Sequence, residues 1–283
     1  MRDAMTGKVV LVTGASRGIG AGIARRFAAE GARVAVTARS LEPGSGGHLA
    51  GSLQELVAEI EADGGVAFAI AADLADPTVD RAAIVRAAEA ALGPLDVLVN
   101  NAAACFYLPI EQTSEKRLRV ALEMNVVAPY LLAQAALASL RANRGFVLDI
   151  TSEIVRRPDG PPFDRVIGPQ RAASTYAGSK AALDRITQSM AIEWWPEVGV
   201  NALAPHAAVR TEGASAVVDL PDAACEPMET MVEAALALCT GDPATNTGQI
   251  TTSLALLAAT RRAVHTLDGR TVIDAEPWLA RVQ

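Results

Sequence analysis

The strongest constraint on this chain is an alternation, running from residue 8 to about 204, of short apolar runs with segments patterned at helical spacing. Val9-Val10-Leu11-Val12 offers no polar side chain to water, as a strand covered on both faces requires. From Ile19 to Glu30, Ile23, Ala24 and Phe27 share one helix face, and Gly31 stands where a C-cap would stop it. Val34 to Val36 forms the next strand, and the glycine- and proline-containing stretch from Leu41 to Ser52 reads as a loop. Leu53, Leu56, Val57 and Ile60 repeat at helical spacing, and Gly64-Gly65 ends that run. Further strands are expected at Val66–Ala71, Val97–Val99, Phe146–Ile150 and Val200–Ala204. Further helices are expected at Val79–Leu92, around Asn125, and from about Tyr176 to Trp194. Strands separated by helices of this length must pair in parallel through right-handed crossovers.

The expected architecture is therefore α/β, a Rossmann-type doubly wound parallel sheet with helices on both faces, in a single domain over residues 1–283. An insertion covers about 153–175, and the segment after Gly241 is the least legible. Hydrophobic residues make up 51% of the chain but aromatics only 4%, so Ala, Val, Leu and Ile must fill the core, which suits helix-on-sheet packing. The net charge of −7 and the isolated pairs Arg156-Arg157 and Arg261-Arg262 argue against a nucleic-acid partner. Cys105, Cys225 and Cys239 lack the spacing of a disulfide framework or zinc site, so no metal is expected. Met1-Arg2-Asp3-Ala4-Met5 runs into the first strand without a signal-peptide core, and the apolar runs are shorter than a membrane span needs. No membrane partner and a cytoplasmic location are the expectation.

Between the first strand and helix stands Thr13-Gly14-Ala15-Ser16-Arg17-Gly18-Ile19-Gly20. Gly14 permits a tight turn, Gly18 lets backbone approach a pyrophosphate, and Gly20 allows helix to pack on strand. The helix N-terminus adds free N–H groups for the phosphates. A dinucleotide's ribose hydroxyls would call for an acid at the end of the second strand, but the sequence there is Val36-Thr37-Ala38-Arg39. Arg39 and Arg17 can instead converge on a 2′-phosphate, which favours NADP(H) over NAD(H).

Tyr176 and Lys180 are four residues apart, one turn along one helix face. A free phenol titrates near pH 10. An ammonium fixed beside it is expected to bring it towards working range as an acid/base.

With these motifs in place, the chain resembles the short-chain dehydrogenase/reductase family over most of residues 7–211. The resemblance rests on Thr13 to Gly20, Asp73-Leu74, Asn100-Asn101-Ala102-Ala103, Asn125, Ser152, Tyr176 to Lys180, and Asn201-Ala202-Leu203-Ala204-Pro205, in that order. It implies an oxidoreductase that interconverts a carbonyl and an alcohol by hydride transfer, working as a homo-oligomer, a dimer or tetramer. It implies that Tyr176 exchanges the proton and that Lys180 tunes it and binds the nicotinamide ribose. Ser152 would hold the substrate oxygen, and Asn125 would fix a water in a proton relay. Asp73 and Leu74 would contact adenine, Asn101 the ribose side, and Val209 and Thr211 the carboxamide.

Several features depart from the family pattern. Ser152 and Tyr176 are farther apart than usual, and the added residues are expected to shape the substrate pocket. His206 replaces the usual glycine after Pro205 and reads as a hydrogen-bonded loop histidine. Cys105 reads as a small packing residue near the cleft. Thr247-Gly248-Gln249 resembles the approach to the last strand, but Ile250 to Ala259 replaces the usual Asp-Gly-Gly, which bears on the common tetramer contacts. Two rivals share the fold: a catalytically silent NADP(H)-binding sensor or scaffold, and an epimerase or dehydratase with tightly held NAD.

Overall fold

The computed structural model describes residues 4–44, 50–156, 158, 160–163, 168–215, 221 and 224–282. Met1 to Asp3, Gly46, Gly47, Arg157 and part of the expected insertion lie outside the described residues. The alternating pattern folds as β1 (Val9–Thr13), α1 (Gly18–Ala29), β2 (Arg33–Ala38), α2 (Leu53–Ala62), β3 (Val66–Ala71), α3 (Arg81–Leu92) and β4 (Val97–Asn100). There follow α4 (Glu115–Leu122), a π-helical turn (Glu123–Val127), α5 (Ala128–Ala142), β5 (Phe146–Ile150), α6 (Ser174–Trp194) and β6 (Gly199–Ala204). The remainder comprises β7 (Ala208–Val209), α7 (Glu212–Ser215), β8 (Cys225–Glu226), α8 (Met228–Leu238), β9 (Ile250–Thr252), α9 (Ser253–Thr260), β10 (Val264–His265), β11 (Val272–Ile273) and α10 (Glu276–Leu279).

Seven strands form one sheet in the order β3-β2-β1-β4-β5-β6-β9, and every pairing in it is parallel. Because side chains alternate along each strand, the sheet feeds two cores. Val10, Val12, Val34, Val36 and Val99 pack beneath α1, α2, α8 and α9 through Phe27, Leu56, Met231 and Leu257. Leu11, Ala35, Leu98, Val147 and Val200 pack beneath α3, α5 and α6 through Ile84, Leu132 and Met190. The order in which successive strands are added reverses between β1 and β4, so their carboxyl ends open a crevice at the switch point, where open α/β sheets bind ligands.

In the tail, which is the least legible part of the sequence, the antiparallel pair β10–β11 and Arg262 close over α1 and α8. There Glu233 accepts from Arg26 at 3.1 Å and from Arg262 at 2.7 Å, and Arg26 also pairs with Glu30 at 2.5 Å. Among the described residues one helix, Glu115–Ala142, is long and apolar enough by length and composition to cross a membrane. It exceeds the apolar runs read from sequence because α4, the π turn and α5 are continuous, and α5 packs on α3 within the domain.

Candidate active site

The crevice begins as a stitched pair of loops. Thr13 Oγ1 accepts hydrogen bonds from Asn101 N at 3.0 Å and Ala102 N at 3.1 Å, which joins the end of β1 to the end of β4. Gly14 has φ +64°, and a Cβ there would lie 2.7 Å from the Ala102 Cα. A Cβ on Gly20 would lie 2.4 Å from Asn101 Nδ2, the amide that donates to the Thr13 and Gly14 carbonyls. Asn101, implied to contact a ribose, thus holds the glycine loop in shape. Gly18 faces Thr211.

These residues border a cleft of about 370 Å³ lined by Gly14, Ser16, Arg17, Gly18, Ile19 and Arg39, with Leu74, Asn101 and Thr211 completing its walls. Arg17, the N-cap of α1, makes no side-chain cap bond, which leaves the first amides of that helix without one at the cleft. Thr37 Oγ1 is buried there without a hydrogen-bond partner. A glycine cradle, a helix start without a side-chain cap and a buried hydroxyl without a partner fit a dinucleotide.

The arginine expectation divides. Arg17 donates to the Ala50 and Gly51 carbonyls at 2.7 and 3.1 Å and so braces the loop after β2. Arg39 stays exposed at the cleft, 3.9 Å from Asp73. Asp73 itself accepts from Ala75 N at 3.0 Å and opens a turn, while Leu74 lines the cleft. Val209 is buried in β7, and Thr211 rather than Val209 reaches the cleft.

The candidate chemical centre lies at the carboxyl ends of β4 and β5. The Tyr176 hydroxyl faces the Ser152 side chain, which favours its charged form. The Tyr107 ring meets that of Tyr176 edge to face at 5.9 Å between centroids. Cys105 hydrogen-bonds Tyr107, so it belongs to the site wall as well as to the packing.

Lys180 lies one turn along α6, 2% exposed, and its Nζ donates to the Ile150 carbonyl at 2.6 Å. Burial pushes its pKa down to about 8, against the pull of Asp149 and Asp184. Tyr176 departs from the spacing argument: burial pushes its pKa up to about 12, Cys105 adds to the rise, and Ser152 opposes it. Lys180 does not lower it here because its ammonium is turned onto the strand carbonyl.

Asn125 sits in the π turn, a feature frequent at functional sites. Its Oδ1 accepts from Ala104 N at 2.8 Å, and its Nδ2 donates to Ala104 O and Ser179 Oγ, both at 2.9 Å. Ser179 Oγ in turn donates to the Tyr176 carbonyl at 2.8 Å. Both amide protons are therefore committed, so the relay role implied for Asn125 does not fall to its side-chain donors. What the side chain does is tie the Ala104 loop to the first turn of α6.

Behind Lys180, the fully buried Asp149 accepts from Asn100 at 2.9 Å and Thr187 at 2.6 Å, and burial raises its pKa. His206 is the hydrogen-bonded loop histidine expected, with Nδ1 3.0 Å from Thr252 Oγ1. Tyr107, Asp149, Asp184 and the half-buried Glu153 were not singled out in the sequence, because nothing in their local spacing points to Tyr176 or Lys180. Among the described residues no cluster of acids, histidines or cysteines could hold a metal.

The short chain dehydrogenase family model matches residues 8–219. This chain is a member of that family. It is 36% identical over 210 residues to an uncharacterised oxidoreductase of Methylorubrum extorquens, covering 74% of this chain and 76% of the relative. A hydroxynaphthalene reductase-like protein of Metarhizium robertsii is 36% identical over 203 residues, covering 71% of this chain and 68% of its own. A short chain dehydrogenase of Burkholderia cenocepacia, solved in complex with NADP, superposes with a TM-score of 0.71 at 31% identity, over 88% of this chain and 97% of that one. The short chain dehydrogenase is thus an oxidoreductase whose fold is that of nicotinamide-binding relatives.

Proposed function

We propose that this short chain dehydrogenase is an NADP(H)-dependent oxidoreductase that interconverts a small-molecule carbonyl and a secondary alcohol, with Tyr176 as acid/base. The observation that carries the reading is the pairing of the Tyr176 hydroxyl with Ser152, which follows the carboxyl end of β5 on the same edge of the parallel sheet as the glycine loop after β1. When bound, the dinucleotide supplies or takes up the hydride. The chain's own residues do the rest. Ser152 and Tyr176 present two hydroxyls to one substrate oxygen, Ser152 holding it while Tyr176 gives or takes its proton. Lys180 braces α6 against β5 through Ile150 and stands ready for the ribose. The 153–175 insertion, which joins Ser152 to the helix carrying Tyr176, shapes the substrate pocket in this reading. A silent sensor is disfavoured, since Ser152, Tyr176 and Lys180 are all retained and two of them are paired.

The cofactor preference rests on Arg39, which is exposed at the cleft where an NAD site would carry an acid. NADP in the Burkholderia relative supports it. The same reading has the protein in the cytoplasm, acting on a small molecule rather than on nucleic acid or membrane. It acts there as a homo-oligomer, for which the exposed Leu118, Leu122, Tyr130 and Leu131 of α4 and α5 offer an apolar face. A panel of ketones and alcohols followed by NADPH and NADH absorbance tests the proposal. Turnover with NADPH is expected, and Arg39→Ala should narrow the NADPH preference by about tenfold, the value of one charge-assisted contact. Equal use of NADH by the parent protein, with Arg39→Ala harmless, would overturn the preference.

A further inference from the structure

Residues 205–211 leave β6 and pass along the cleft to Thr211, which faces Gly18. A segment this short has no helix or wide sheet to hold it, so its backbone amides must be satisfied elsewhere. Two of them, His206 N and Ala207 N, are satisfied by Glu226, with Ser253 Oγ a second acceptor for His206 N at 3.1 Å. The strand pair β7–β8 sets Val209 opposite Glu226, and the glutamate side chain turns back beneath the segment, 3% exposed. Its Oε1 accepts from His206 N at 2.7 Å, Ala207 N at 3.3 Å and Ser253 Oγ at 2.7 Å. Its Oε2 lies 2.8 Å from Thr230 Oγ1 and 2.7 Å from Ser253 Oγ. Among the described residues Glu226 has no ion pair, so a carboxyl group sits buried on dipoles alone. Burial raises its pKa against the bonds from Ser253, Thr230, Ala207 and His206.

Thr230 Oγ1 faces two acceptors, Glu226 Oε2 at 2.8 Å and the Pro227 carbonyl at 2.7 Å, and its single proton can serve either. A glutamine at 226 would keep this contact, its amide donating to Thr230 Oγ1 while the hydroxyl proton goes to Pro227. Oε1 remains the acceptor for two backbone amides. We infer that Glu226 is a positioning residue that clamps residues 206 and 207 through Oε1, beside the β7–β8 pairing of residues 208 and 209, and so shapes the wall of the cleft that Thr211 completes. The inference rests on the cofactor reading above for its effect on binding, but not for the clamp itself.

Two readouts separate these. The first is hydrogen exchange over residues 206–209 in the protein without cofactor. Glu226→Ala should speed it and Glu226→Gln should leave it as in the parent. The second is NADPH affinity by fluorescence titration. Glu226→Ala should weaken it about tenfold, the loss expected when buried amides go unpaired, with kcat at saturating cofactor kept within about threefold, while Glu226→Gln stays near the parent. A general loss of packing would lower kcat and melting temperature without this split. Glu226→Asp keeps an acid but shortens its reach, and it should behave as Glu226→Ala if the alanine variant does not fold. Unchanged exchange in Glu226→Ala or Glu226→Asp, or Glu226→Gln as damaged as alanine, would overturn the clamp. A parent protein that binds neither NADPH nor NADH, yet shows the exchange pattern above, would overturn the cofactor reading and leave the clamp supported.

Discussion

Tyr176 and Lys180 are each displaced from their ordinary titration by the same cause, burial, and in opposite senses. The phenol rises to about 12 and the ammonium falls to about 8, because removal from water disfavours whichever form is charged. The consequence for direction can be worked out. Carbonyl reduction needs the protonated phenol, which a raised pKa keeps fully populated through neutrality. Alcohol oxidation needs phenolate, which is scarce until the pH approaches that raised value. Initial rates in both directions from about pH 6 to about pH 9 should therefore diverge, with reduction nearly flat and oxidation climbing roughly tenfold per unit. An oxidation rate that is flat over the same range would show that the phenol does not titrate as its burial requires. Spacing alone made the Tyr176–Lys180 pair visible, because the helical period is a local property. It did not reveal that Lys180 would bond Ile150, since that depends on β5 lying beneath α6.

At the level of elements, six strands could be read because each is a run of apolar residues; Val9–Thr13 and Phe146–Ile150 are buried on both faces, whereas the edge strand Val66–Ala71 is apolar but only partly covered. What escaped reading has physical reasons. In α8 every residue from Thr230 to Leu236 is buried, Glu233 included, so no polar face marks its period. The strand β9 has three residues and only Thr252 fully buried, too little for a pattern, although Thr247-Gly248-Gln249 pointed to its approach. The π turn is held by bonds between Asn125 and Ala104, residues 21 apart in sequence. Tyr107 and Glu226 belong to loops and short strands that meet their partners only in the folded domain. The glycine loop was legible because its requirement is local: φ +64° at Gly14 and a backbone approach that a Cβ would block.

Over the whole molecule, a buried charge cluster fastens the tail to α1 and α8, in addition to the pairing of β9 in the sheet and the apolar packing of Leu257 and Val264. Arg26 and Glu233 are each 1% exposed, and Arg262, His265 and Glu30 complete the set. Burial opposes the charge on Glu233, but Arg262 and Arg26 outweigh it and hold its pKa below the ordinary value. Its stabilising share is thus full above the ordinary glutamate pKa and is lost as pH falls through the lowered one. Glu233→Ala leaves Arg26 buried with one partner fewer and should cost about 3–5 kcal/mol in denaturant unfolding at neutral pH. A loss under about 1 kcal/mol would mean that Glu30 alone suffices. This cluster lies away from the cleft, so NADPH affinity of the folded variant should be unchanged. The central claim is that one end of the crevice binds a nicotinamide dinucleotide while Tyr176 handles the proton at the other. Its most direct test is to measure NADPH dissociation constant and turnover side by side for the parent and for Tyr176→Phe. The account predicts affinity equal within about threefold and turnover reduced at least about 100-fold; a Tyr176→Phe protein that binds NADPH and turns over as the parent does would contradict it.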